Sequence, residues 1–175
     1  KTFIRTAIVV MIAMFSFESV ASAQLLKNIL NKANNATATS VSAATSNGQA
    51  AGAALKSLYT QYKSTGKLDL NNITNIMNLA TLATNVKGLK GQTNKTQFYK
   101  DFAAGLITGS NNLVTQTNSN AVMNGLTSLV NNVDLSALQG KATDVVSNVT
   151  TKGTEALENA NQIATSVTSI LNLFK

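Results

Sequence analysis

Apolar residues recur at every third or fourth position through most of this chain. The clearest run is Ala156, Ala160, Ile163, Val167, Ile170 and Phe174, stepping by 4, 3, 4, 3 and 4. Strand alternation would step by two, so this seam predicts a helix over 155–174 packed at a shallow angle on another helix. Val122, Leu126, Leu129 and Val133 predict a second over 121–132, and Leu135, Leu138, Ala142, Val145 and Val149 a third over 135–151. Phe98, Phe102 and Leu106, flanked by Tyr99, Ala103 and Ile107, predict a fourth over 96–114. An Ala-rich segment with Leu55, Leu58, Tyr59 and Tyr62 on one side predicts a helix over 49–64, stopped by Gly66.

The stretch 70-LNNITNIMNLATLATNVKGL-89 predicts the remaining helix, over 70–87. Leu70, Ile73, Met77, Ala80 and Ala83 form one stripe, and Ile76, Leu79, Leu82 and Val86 widen it, which implies neighbours on two sides. Ile73, Ile76, Met77 and Leu82 are therefore expected inside. Asp69 is the expected N-cap, with Leu68 and Ile73 as its hydrophobic staple, and Val133-Asp134-Leu135 with Leu138 repeats the signature. The fold expected is all-α, a bundle of five or six amphipathic helices with short loops.

Two glycine pairs bear on how that bundle packs. Gly48/Gly52 and Gly105/Gly109 are small-x-x-x-small patterns that let helix backbones approach closely, here read as core contacts.

The N-terminal part has a different pattern. Residues 1–23 combine a basic start (Lys1, Arg5), an apolar run from Ala7 to Phe17 and a small-residue ending at Ala21-Ser22-Ala23. That order reads as a signal peptide, cleaved before Gln24. The run is too short for a span of roughly 20 residues. Residues 24–47 follow as a short helix (Leu25, Leu26, Ile29, Leu30) and the polar linker 34-NNATATSVSAATSNG-48, ahead of a bundle domain over 48–175. The expectation is a periplasmic or secreted protein whose mature part has no transmembrane segment.

Composition narrows the chemistry. The chain holds 14 Lys and Arg against 7 Asp and Glu, with no His and no Cys. It therefore has no disulfide, and it lacks the commonest metal ligands and the commonest general base. No catalytic residue, metal or cofactor is expected. Every cation after Ala23 is a lysine, which lacks the bidentate guanidinium that reads base edges, so sequence-specific nucleic-acid binding is not expected.

The remaining motifs are weak. Gly88 to Thr96 lacks the glycines of a phosphate loop, and Ser64-Thr65-Gly66-Lys67 puts its serine at a helix end, where an acyl-enzyme motif opens one. Glu155 and Glu158 sit in a first helical turn, where negative charge offsets the helix dipole. Lys87, Lys90, Lys95 and Lys100, beside Phe98 and Tyr99, form the one candidate contact for an anionic surface. The sequence thus points to a non-enzymatic protein that acts through an unknown protein partner or self-assembly. The alternative is an amphipathic protein that binds membranes or anionic polymers.

Overall fold

The computed structural model describes residues 42–138 and 154–175. They form five α-helices with no strand: α1 (Ala43–Thr65), α2 (Ile73–Val86), α3 (Gln97–Gly109), α4 (Ser119–Asn132) and α5 (Thr154–Leu171). Short 3₁₀ turns follow α2 at Lys87–Leu89, precede the undescribed stretch at Ser136–Leu138, and extend α5 at Asn172–Phe174. The all-α bundle expected from the 3–4 spacing is the fold. The signal and linker readings at residues 1–41, and the seam of Ala142, Val145 and Val149, lie outside the described residues.

Helix α1 is the hub, packing against α3 most extensively and also against α2 and α5, while α4 packs on α5. The α1–α3 contact is set by the glycine pairs. A Cβ at Gly48 would strike the Phe102 carbonyl oxygen, and one at Gly105 the Thr45 carbonyl oxygen. At Gly109 it would strike the carbonyl of Gln49, and at Gly52 it would lie 2.5 Å from that of Leu106. Thr45 faces Gly105 and Gln49 faces Gly109, so the helices run in the same direction with their backbones in contact.

That contact explains why α1 starts at Ala43, earlier than position 49. Ser42 caps it, its hydroxyl accepting from the Thr45 N–H at 3.1 Å, and Ala44 and Gly48 are buried. Side-chain size read as linker was in fact the requirement of a tight interface.

Helix α2 starts later than expected, at Ile73. Its N-cap is Asn72, whose Oδ1 accepts from the Thr74 N–H at 2.9 Å. Asp69 instead closes the preceding turn: its carboxylate accepts from the Asn71 N–H at 2.9 Å, and its carbonyl accepts from the Asn75 side chain at 2.9 Å. That second bond draws Asn75 inside, to 2% exposure. The helix is thereby rotated so that Ile76, Leu79, Leu82 and Val86 are fully buried, while Ile73 is 55% and Met77 41% exposed. The expectation that Ile73 and Met77 lie inside is therefore wrong, and Ile73 makes no staple.

The other seams match their spacing. Leu55, Leu58, Phe102, Leu106, Val122, Leu126, Leu138, Ala160, Ile163 and Val167 are all fully buried in one core. α3 ends at Gly109 rather than near 114, because Asn111 and Asn112 turn left-handed. The polar faces, rich in Ser, Thr and Asn, satisfy themselves locally. Thr60, Thr65, Thr108, Thr165 and Thr168 each donate to the carbonyl one turn back at 2.8–3.0 Å, and Asn85 does the same to Thr81 at 2.8 Å.

Candidate functional site

The lysines of the candidate surface do not act as one group. Lys87 ends α2 and Lys90 follows its 3₁₀ turn, and both line a cleft of about 370 Å³ against the end of α4, Val130 to Ser136. Lys95, in the loop, and Lys100, on α3, are exposed but are not part of that cleft. The aromatic half of the expected surface is withdrawn. Phe98 is half-buried over Gly88, where a Cβ would lie 2.6 Å from its ring, and stacks on Phe102 with centroids 6.4 Å apart. Tyr99 is 8% exposed, and burial raises its phenol above the usual value. Phe98 and Tyr99 serve the core because position 98 must cover the glycine of the preceding turn and position 99 faces inward one residue later.

Asp134 gives the cleft one fixed negative charge. Its carboxylate accepts from the Ser136 N–H at 2.9 Å, as the Asp69 carboxylate does from the Asn71 N–H. The helix that an N-cap at Asp134 was expected to open over 135–151 lies largely outside the described residues. That backbone bond, the Ser136 side chain and the nearby Lys90 ammonium hold its carboxyl below the ordinary 3.8. Two lysines thus face a carboxylate and the carbonyl end of α4, which already offsets part of their charge. The cleft offers weak attraction to an anion.

A second cleft, of about 450 Å³, lies at the other end of α4 between Lys56, the 111–118 loop and Leu173 to Lys175. Its floor is tied down by two tyrosines of α1. Tyr59 donates to the Phe174 carbonyl at 2.8 Å and meets its ring edge-on at 5.5 Å. Tyr62 donates to Asn172 Oδ1 at 2.8 Å and accepts from the Lys175 ammonium at 2.8 Å, which also sits 4.7 Å from the Tyr62 ring centre. The sequence showed these tyrosines only as one side of a helix, since their partners lie more than a hundred positions away.

Among the described residues no cluster of three or more carboxylates is placed to hold a metal ion, and no helix is long and apolar enough to cross a membrane. Glu158 is exposed on α5. Comparison with family models, with curated proteins and with solved structures gives no match. The functional reading therefore rests on the chain's own sequence and surface chemistry.

Proposed function

We propose that this is an exported, non-enzymatic protein of the bacterial envelope or extracellular space that acts by helix-mediated protein interaction or assembly. The observation that carries this reading is the outer face of α2. Ile73 and Met77 lie one turn apart and are 55% and 41% exposed, and no charged residue occurs between Leu70 and Val86. Charge depletion with an exposed methionine is the composition of an interface centre, where burial need not desolvate ions. The export half rests on the order of charges, apolar run and small residues over 1–23.

The test places a photo-crosslinking residue at position 77 and, as control, at the exposed position 104 of α3. A discrete protein adduct from position 77 alone, lost in Ile73→Asp with an unchanged melting curve, is the expected result. Equal adducts from both positions, or none, would overturn the reading. Mass spectrometry of the native N-terminus tests export, with Gln24 expected first. A second reading, contact with an anionic surface, draws on the exposure of Lys87, Lys90, Lys95 and Lys100.

A further inference from the structure

The loop from α3 to α4 holds the only non-glycine residues of positive φ among the described residues, Asn111 at 47° and Asn112 at 67°. Ser110 before them is right-handed, at φ −77° and ψ −3°. A change of hand between successive residues turns their N–H groups towards one side and makes a concavity with partial positive charge, which takes an anion. The flanking amides are already occupied: Ser110 donates to the Leu106 carbonyl at 3.0 Å and Leu113 to that of Ser110 at 3.2 Å. Between them, the N–H groups of Asn111 and Asn112 find no acceptor among the described residues.

This loop is held in shape from below. Ser110 is fully buried, and its hydroxyl accepts from the Val114 N–H at 2.9 Å while donating to the Ile107 carbonyl at 3.1 Å. Asn111 and Asn112 line the 450 Å³ cleft, whose wall also carries Lys56, Thr115 and Lys175 and no acidic side chain. Leu173, 46% exposed, adds an apolar edge. Preformed main-chain donors, a lysine from a neighbouring helix and an adjoining apolar surface suit one class of ligand.

We infer that this cleft binds a small organic anion, a carboxylate or phosphate monoester carrying a short apolar group. The amides of Asn111 and Asn112 and the Lys56 ammonium take the charged oxygens, and Leu173 covers the apolar part. Main-chain donors carry the recognition, so the Asn111 and Asn112 side chains matter for backbone hand more than for contact.

The test titrates the ¹⁵N-labelled full chain with octyl phosphate, inorganic phosphate, neutral octyl glucoside and vesicles containing phosphatidic acid. Octyl phosphate is expected to shift the amides of Asn111, Asn112 and Thr115 saturably, inorganic phosphate to shift the same amides more weakly, and octyl glucoside to leave them in place. Lys56→Gln should weaken octyl phosphate binding about tenfold, as for loss of a charge-assisted hydrogen bond, and Lys56→Arg should restore most of it. Asn111→Gly, which keeps both the N–H and the backbone hand, should still bind. The proposal is overturned if neither anion moves these amides, if octyl glucoside moves them equally, if Lys56→Gln binds as the unchanged chain does, or if only vesicles produce an effect.

Discussion

Ile73 and Ile76 stand three positions apart on α2 and meet opposite environments, one 55% exposed and the other fully buried. Truncating Ile76 or Leu82 to Ala removes core contacts that the surroundings replace only in part, a cost of about 2–5 kcal/mol. The same change at Ile73 or Met77 should fall within about 0.5 kcal/mol, as for surface positions. Urea unfolding of the four variants checks this, and equal losses would mean that α2 sits in a different rotation. The sequence showed an apolar arc wider than the face that packs, and nothing local says which edge of such an arc stays outside. That choice is made by Asn75, whose side chain bonds the Asp69 carbonyl from inside. Asp134 bears a prediction of its own. Its carboxyl titrates below 3.8, chiefly through the Ser136 backbone bond, so the charged form is favoured by folding. Its contribution is present above the unfolded value and is lost as pH falls through the folded one. The stability gap between the unchanged protein and Asp134→Ala, read from melting curves, should therefore narrow on acidification below about pH 4.

At the scale of elements, the α1–α3 pair shows what glycine does when it is a surface rather than a hinge. Replacing a helical glycine by alanine ordinarily gains about 1 kcal/mol of helix propensity. At Gly105 and Gly109 the added methyl meets main-chain carbonyls of α1, which cannot move without parting the two helices. Each substitution should therefore destabilise by about 1–3 kcal/mol or more despite that gain. Gly125 supplies the contrast: there a Cβ meets the Ile170 side chain, at 2.8 Å, and a side chain can change rotamer where a carbonyl cannot. Gly125→Ala should cost clearly less than Gly109→Ala in chemical unfolding, and the reverse order would show that backbone contact is not what fixes the pair. The four-residue spacing of both glycine pairs was legible in the sequence, as were the buried seams of α1, α3, α4 and α5. Helix starts were less so. Asp69 and Asn72 are both competent caps three residues apart, and the choice fell to the one that leaves Asp69 free to close the turn. Small residues at 43–47 looked like linker because a close-packed interface and a flexible segment draw on the same amino acids.

For the whole molecule the open question is whether the apolar face of α2 and the lysines beyond it serve a membrane. The lysines were visible as charges, but their grouping was not, since the Lys87–Lys90 cleft arises only when the end of α4 is brought alongside. That arrangement reduces the pull on an anionic surface, because Asp134 and the carbonyl end of a helix share the cleft. An interfacial helix needs a broad releasable apolar face and a dense basic coat. Here Ile76, Leu79, Leu82 and Val86 are fully enclosed, leaving two exposed side chains and a polar face of Asn and Thr. Co-sedimentation with anionic liposomes at low salt should accordingly show little binding, little changed by neutralising Lys87, Lys90 and Lys95, while Ile76→Ala lowers the melting point and keeps a single cooperative transition. Strong binding that fades with salt, falls in the charge-neutral variant and is weakened by Ile76→Ala with little change in melting would favour the membrane reading instead. The first pattern is expected because opening the bundle to expose Ile76 and its neighbours would surrender the contacts that hold α2 to α1, and the two lysines of the candidate surface outside the Asp134 cleft, Lys95 and Lys100, offer too little attraction to compensate.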